Sequence, residues 1–564
     1  MKWKGISYSI RRWALANALE HGGKASPKAV IGKLMAERPD LKAKISEITR
    51  IVAKEVERVN RLSSEQQRVE LERLGPPKRV EHRERRGLPE LPDVDRFPKV
   101  VTRFAPNPNG PLHLGHVRTA LLSYEYSRKY NGKFILRFED TNPANALDEM
   151  YDLIREDLRW LGIEWDEEYL QSGRLEIYYR YAEKLLGAGD AYVCTCNVGK
   201  FREMRDRGRA CPCRNLSPDE HLRRWKGMLE GRFDEGEAVV RIKTDLGHPN
   251  PALRDWPIFR IVTTPHPKVG RRYRVWPLYN FSVSVDDHEL GVTHVIRGKE
   301  HEVNEMRQRQ LFERLGWDYP VAIQHGRLSI SGTVLSKTKT MDGIREGRYE
   351  GYDDPRLGTI VALRRRGFSP EAVRRVILDI GLTPVNSMLS MDTLCAENRR
   401  IIDPRANRYF FVPDPQRLSI KGVPRMSEVR LRLHPSHPER GDRIIPLQRE
   451  DTGLVVWIAS GDASTMRSGE IVRLKDFLNF KLISREPLEG KFAGFEVLNV
   501  PKVQWVSAGA VECEVLKPDG SRDQGLVEPG ILKLCPGEVV QFERYGFVRI
   551  EKLKPSIMAV FAHR

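Results

Sequence analysis

The chain has 564 residues, enough for about three to five domains at roughly 100 to 200 residues each. Lys and Arg number 95 against 77 Asp and Glu, a formal charge of +18, and 40 % of residues are hydrophobic, a globular and basic composition that favours a polyanionic partner. No run approaches the roughly 18 apolar residues of a membrane span, and the first twenty residues lack the apolar core and cleavage site of a secretory leader, so a cytoplasmic protein without a membrane partner is expected.

Residues 1 to about 75 read as helices. Ser26 before Pro27 is a cap with proline at the first helical position, and Ile45, Ile48, Val52, Val56, Val59 and Leu62 recur at helical spacing. Residues 76–99 carry proline and charge without periodicity and read as an exposed linker, which gives a helical domain with its linker over 1–97. VVTRF (100–104), a Pro/Gly turn, an apolar-periodic stretch from Leu114 to about Tyr130 and KFILRF (133–138) read as strand, helix, strand. This is the βαβ opening of a parallel sheet.

The alternation breaks after about residue 190. A Cys-bearing, Arg-rich segment runs to about 275, and strand-like apolar runs return around Val283 and Val295. An inserted domain over 191–275 is therefore expected to split a nucleotide-binding fold into halves at 98–190 and 276–340. Helical periodicity from Asp354 to about Leu394 predicts a helical connector over 341–408. Beyond Phe410, short alternating strands such as Val511–Val515, separated by turns like Pro518-Asp519-Gly520, predict β-barrels over 409–564.

Arg103-Phe-Ala-Pro-Asn-Pro-Asn-Gly-Pro-Leu-His113-Leu-Gly115-His116 lies where the first strand gives way to the first helix. Ligands of open α/β sheets bind at such strand ends. The helix terminus offers unpaired N–H groups, Gly115 permits close approach, and two imidazoles can donate to phosphate oxygens, which together suggest an ATP phosphate site. Two histidines alone would be read as surface or capping residues; the Pro/Gly frame argues against that.

PNPNGPLHLGH resembles the HIGH signature of class I aminoacyl-tRNA synthetases, in the form used by the glutamyl and glutaminyl enzymes. Leu328-Ser-Ile-Ser-Gly-Thr-Val-Leu-Ser336-Lys337-Thr-Lys339 resembles the KMSKS loop, with Val334 where that signature has its first Lys. The resemblance implies a Rossmann-like (HUP-type) core with His113, His116 and Lys337 catalytic, and ATP contacts from Pro106, Asn107, Gly110, His113, Gly115, His116, Ser336 and Lys337. An ammonium on a closing loop stabilises charge that develops on the pyrophosphate.

Phe138-Glu139-Asp140-Thr141-Asn142-Pro143 looks like the segment whose acid binds the amino acid's α-ammonium. That role falls to Glu139, whereas Asp140 reads as a cap for the next helix. Arg103, Ala105 and Tyr279 match positions that contact the substrate, and Arg297 distinguishes the branches: glutamyl enzymes carry Arg here and glutaminyl enzymes a small uncharged residue. A guanidinium satisfies a γ-carboxylate better than an amide. The alternative is a structural Arg paired with Glu300 or Glu302.

Residues 351–368 and 397–411 resemble the archaeal and eukaryotic type of glutamyl enzyme, whose anticodon-binding half is built of β-barrels. The resemblance covers nearly the whole chain and is weakest in 1–95 and the final barrels. It implies ATP-dependent attachment of L-glutamate to tRNA(Glu) through glutamyl-adenylate, with Mg²⁺ accompanying ATP, tRNA(Gln) as a further candidate acceptor, and a monomer. A glutaminyl enzyme and a HIGH-type nucleotidylyltransferase are the alternatives.

Cys194-Thr-Cys196 and, after fourteen residues, Cys211-Pro-Cys213 supply four thiolates in two pairs, enough for a tetrahedral structural Zn²⁺. Four buried or oxidised cysteines without metal are the alternative. The resemblance places this cluster in the inserted acceptor-stem domain, where some relatives bind zinc. Basic runs at 202–209, 364–366 and 425–432 are candidate tRNA phosphate contacts, each weak by itself.

Overall fold

The computed structural model describes residues 2–20, 22–37, 45–75, 87–331, 337–450 and 453–564. The chain divides into two units, Met1–Pro89 and Glu90–Arg564. The described residues of the first form four α-helices, α1 (Lys2–Glu20), α2 (Pro27–Glu37), α3 (Ile45–Asn60) and α4 (Ser64–Leu74). Their apolar faces close on Ile10, Leu15, Val30, Leu34, Ile48, Val52, Val56 and Val59. Ser63 opens α4 with a reciprocal cap in which its side chain accepts from the Gln66 N–H and Gln66 accepts from its own. Residues 76–86 of the expected linker lie outside the described residues.

The second unit opens with β1 (Val101–Phe104), α5 (Leu114–Lys129), β2 (Lys133–Phe138), α6 (Asp148–Trp160), β3 (Glu167–Leu170) and α7 (Leu175–Gly187). β1, β2 and β3 form a parallel sheet in that order, and α5 and α6 bury Leu114, Val117, Leu121, Ile154 and Leu158 in a core shared with Phe134 and Leu136. An antiparallel four-stranded sheet follows, made of β4 (Ala191–Cys194), β5 (Val239–Ile242), β6 (Pro257–Ile261) and β7 (Val275–Pro277). Between β4 and β5 run α8 (Val198–Asp206) and α9 (Pro218–Glu230).

The chain then returns to the parallel sheet through α10 (Tyr279–Glu289), β8 (His294–Gly298), α11 (Glu302–Leu315) and β9 (Val321–His325). β8 pairs parallel with β9, and Thr293 just ahead of β8 bonds Val101 in both directions: its N–H donates to Val101 O (3.0 Å) and its hydroxyl accepts from the Val101 N–H (2.8 Å). β1 therefore lies centrally. The strand expected around Val283 is instead the helix α10. Phe-Ser-Val-Ser-Val mimics strand alternation, yet residues 280–287 are buried on every side, so no amphipathic stripe betrays the helix. Ser282 and Ser284 return their hydroxyls to the carbonyls of Tyr279 and Asn280.

β10 (Leu328–Ser331), α12 (Lys337–Arg345), α13 (Ile360–Arg365), α14 (Pro370–Ile380), β11 (Ser387–Ser390) and α15 (Met391–Ile402) complete this region. The expected all-helical connector thus contains one strand, β11, which pairs parallel with β10. α13 begins against the first-helix motif, where the Ile360 N–H donates to Leu112 O (2.9 Å). It ends on the C-terminal strands: Arg365 grips Glu551 (2.6 and 3.1 Å) and Arg366 donates to Ala562 O (2.7 Å). Two of the three arginines at 364–366 are thereby structural ties, and Arg364 leans on Glu156 (3.4 Å).

Beyond residue 407 two seven-stranded, barrel-like sheets appear. Strands 408–409 and 411–413 open one sheet, the chain leaves to build the other over 415–503, and strands from 511 to 563 complete the first. Separate apolar cores fill them, one around Leu418, Ile420, Val456 and Trp505 and one around Phe411, Val515, Phe542 and Ile550.

Candidate functional site

A cleft of about 720 Å³ opens at the C-terminal ends of β1, β2, β8 and β9. Its wall includes Arg103, Ala105, Pro106, Asn107, His113, Gly115, His116, Glu139, Tyr279, Arg297 and Lys337, so most residues singled out in the sequence share one cavity. Ser336 and Val334 lie outside the described residues. Gly110 sits just behind the wall, where a Cβ would touch Lys337 Cδ at 3.4 Å.

His113 is the N-cap of α5. Its Nδ1 accepts from the Gly115 N–H (3.1 Å), its own N–H donates to His116 Nδ1 (3.3 Å), and the two rings stack with centroids 3.7 Å apart. A Cβ on Gly115 would lie 2.9 Å from His113 Cε1, so glycine is required for this stack. Burial, helped by the Lys337 charge, pulls His113 down to about 4; burial and then His113 push His116 well below the ordinary value. Both rings are neutral at pH 7. With each Nδ1 accepting, the proton of each ring resides on Nε2, free to donate to an anion.

Lys337, the first residue of α12, donates from Nζ to Asn109 Oδ1 (2.8 Å) and Asn107 O (3.1 Å). It thus bridges to the loop ahead of α5. Burial lowers its pKa to about 8, which leaves it mainly charged at neutral pH.

At the other side of the cleft stands a buried charge network. Arg103 and Arg137 both reach Asp287 Oδ1 (3.2 and 2.8 Å), and Arg137 also reaches Glu139 (3.2 Å). Burial raises Glu139 to about 7 against the pull of the two arginines, whereas the same arginines win at Asp287 and hold it low. Asp140, expected to cap the next helix, does not: it accepts from Tyr151 OH and from the N–H and hydroxyl of Ser172. The N-cap of α6 is Leu147, without a side-chain bond.

Arg297 is 4 % exposed. It donates to Gln308 Oε1 (2.8 Å) and Tyr319 OH (3.0 Å), with Glu305 at 3.6 Å, and its Nε has no partner among the described residues. The expected alternative pairing with Glu300 or Glu302 is replaced by these partners, because α11 turns Gln308 and Glu305 toward β8. Glu305 is shared with Arg309 (2.8 Å) and Gln324 (2.9 Å), so the guanidinium keeps capacity for an incoming anion.

Arg137, Asp287, Asn109, Thr119, His301 and Arg327 were missed from sequence. A charge inside an apolar strand (KFILRF) and a charge pair inside a buried helix (VSVDDHE) are the signals that could have found the first two.

The four clustered thiols are free and meet in pairs: Cys194 Sγ lies 3.9 Å from Cys211 Sγ, and Cys196 Sγ 3.8 Å from Cys213 Sγ. The sulfurs of Cys194, Cys196 and Cys213 fall within 4.8 Å of one another. A tetrahedron of sulfurs at the usual Zn–S distance of about 2.3 Å has edges of about 3.8 Å, which the Cys194–Cys211 and Cys196–Cys213 separations match, while Cys211 stands outside the mutually close group of three.

A parallel sheet split by an insertion, a stacked histidine pair at a helix N-terminus and a lysine reaching the loop beside it from a second segment form the arrangement that the HIGH-type resemblance implies. The model of the class I tRNA synthetase (E and Q) catalytic domain matches residues 99–403, and two models of the corresponding anti-codon binding domain match 406–494 and 502–551. The chain belongs to this family. It is 51 % identical to the glutamate–tRNA ligase of Pyrococcus abyssi (strain GE5 / Orsay) over 571 residues, covering 98 % of this chain and 99 % of that protein. To the glutamate–tRNA ligase of Methanopyrus kandleri it is 45 % identical over 572 residues, covering all of both chains. Among solved structures, glutamate-tRNA synthetase from Elizabethkingia anophelis is similar with a TM-score of 0.40 and 26 % identity, over 54 % of this chain and 70 % of that one.

Proposed function

We propose that the protein attaches L-glutamate to tRNA(Glu), with Mg²⁺-accompanied ATP as the energy source. The observation that carries this reading is Arg297, a buried guanidinium on the cleft wall whose other partners are largely neutral. A γ-carboxylate completes it; an amide leaves the charge under-satisfied. Glu139 receives the α-ammonium, whose positive charge restores the carboxylate that burial disfavours, and Arg103 and Tyr279 close the pocket around the side chain.

In the first step the α-carboxylate of glutamate attacks the α-phosphorus of ATP, and pyrophosphate leaves. The Nε2–H groups of His113 and His116 and the Lys337 ammonium bind the phosphates, so catalysis is positioning and charge stabilisation. Gly110, Pro106, Asn107 and Ser336 belong to this ATP site. In the second step the 2′-hydroxyl of the terminal adenosine attacks the activated carbonyl, and AMP leaves. The inserted segment 191–275 receives the acceptor stem and the two barrels the anticodon.

Cys194, Cys196, Cys211 and Cys213 hold a structural zinc that fixes the inserted segment, a role supported by the mutual approach of Cys194, Cys196 and Cys213 and by Cys211 Sγ 3.9 Å from Cys194 Sγ. The seven unpaired thiols support a cytoplasmic setting, and the reading includes a monomer. tRNA(Gln) is proposed as a second acceptor of glutamate.

The test is aminoacylation with labelled glutamate and glutamine, in parallel, on separately transcribed glutamate and glutamine tRNAs. Glutamate on tRNA(Glu) is expected. Glutamine as the substrate charged would overturn the role of Arg297, and absence of charging would favour a nucleotidylyltransferase.

A further inference from the structure

One buried cation fastens the strand pair leading to Lys337 onto the helix that carries the two histidines. Arg118 lies two residues beyond His116 on α5 and is fully buried. It donates through NH1 to Gly326 O (2.7 Å), through NH2 to Gly381 O (2.8 Å) and Thr383 O (3.3 Å), and through Nε to Gly381 O (3.2 Å). Gly326 stands two residues ahead of β10, and Gly381 and Thr383 lie between α14 and β11. The guanidinium therefore clamps the segments that launch both strands.

These segments are themselves interlocked. The Gly326 N–H donates to Thr383 O (2.8 Å), and a Cβ on Gly326 would lie 2.1 Å from Val385 O. Beside Arg118, the Thr119 hydroxyl bonds His325 Nε2 at 2.9 Å, a second tie between α5 and the end of β9. From here β10 runs to Ser331, and the described chain resumes at Lys337.

The acceptors of Arg118 are all neutral carbonyls, and burial pulls its pKa down with no acid to offset it. A buried cation without a counter-charge is costly to desolvate, and its hydrogen bonds to the three carbonyls offset that cost. What the guanidinium adds is direction: its planar fork fixes several carbonyls at once, which neither Lys nor an apolar residue does.

We propose that Arg118 is a positioning residue for amino-acid activation, keying β10 and β11 to α5 so that Lys337 meets phosphates held by His113 and His116. It rests on the roles proposed above for those three residues. The test is a double-mutant cycle of Arg118→Met and Lys337→Ala, read as glutamate-dependent ATP–pyrophosphate exchange with tRNA present. Arg118→Met is expected to lower kcat by about tenfold or more while the KM for glutamate stays within about twofold. Combined with Lys337→Ala, it should cost no further rate beyond about threefold, because both changes disable one device. Arg118→Lys, which keeps the charge but not the fork, should recover part of the rate.

Losses that multiply in the double variant, or an Arg118→Met enzyme with kcat within about twofold of wild type, would overturn the proposal. If thermal melting shows Arg118→Met to be unfolded, Arg118→Lys enters the same cycle under the same criterion. Wild-type enzyme without glutamate-dependent exchange would instead sink the underlying reading, and the role of Arg118 with it.

Discussion

Arg297→Gln removes the guanidinium from the cleft with little damage to its surroundings. Tyr319 OH still donates to Gln308 Oε1 (3.0 Å), and Glu305 keeps Arg309 (2.8 Å) and Gln324 (2.9 Å), so no buried group is stranded. The thermal midpoint should therefore fall by only a few degrees, as for a loss of about 1 kcal/mol. The bound γ-carboxylate, by contrast, loses its principal cation, a guanidinium only 4 % exposed. Breaking a buried ion pair costs about 3 to 5 kcal/mol, and Arg103 on the same wall recovers part of that, so the lower bound applies. At about 1.4 kcal/mol per factor of ten, kcat/KM for glutamate should drop about a hundredfold. Glutamine, whose amide gains a neutral partner, should lose nothing and come within about tenfold of glutamate. The assay is pyrophosphate exchange with each amino acid, tRNA present. A drop below about tenfold for glutamate, or an equal drop for both amino acids, would refute the assignment of Arg297 to the side-chain carboxylate.

Burial holds Lys337 at about 8, so the ammonium of the free enzyme is lost as pH climbs through that value. At saturating glutamate, kcat/KM for ATP should be flat near pH 7, fall above 8, and stay flat to higher pH in Lys337→Arg; because His113 is held near 4, a wild-type inflection close to 6.5 would contradict the neutral histidine pair. Freshly purified protein should contain about one zinc per chain, and chelation or Cys213→Ser should lower the melting temperature by about 5 °C or more; metal-free protein with an unchanged melt would remove the site. Asp157 on α6 is buried with both carboxylate oxygens unpartnered among the described residues, and burial raises it to about 8. The unfolded chain ionises near the ordinary carboxylate value of about 4, so between the two values it binds fewer protons than the fold and stability falls as pH rises. Asp157→Asn should thus match wild type near pH 5 and exceed it by about 1 to 3 kcal/mol at pH 8, measured by urea unfolding; parallel pH profiles would show that Asp157 is paired in the fold.

Local chemistry determined much of this protein. The strand, Pro/Gly turn and helix around His113 were legible because capping, glycine and a 3.6-residue apolar period act over a few neighbours, and they fall at 101–104 and 114–129 close to the expected limits. The two Cys-x-Cys runs were legible for the same reason, whereas the facing of Cys194 to Cys211 and of Cys196 to Cys213, each 17 residues away, was decided by the fold. Non-local packing decided the rest. Val283 lies in a helix because the surrounding core buries every face of α10, which erases the periodicity on which a helix is recognised. β11 is a strand because β10, nearly sixty residues earlier, offers it a ladder. Arg365 and Arg366 are ties rather than an exposed basic face because the C-terminal strands come back against α13. Arg118, and Arg137 in its bond to Asp287, acquire meaning from partners 150 or more residues away, and no local pattern specifies which buried charge will find such an acceptor.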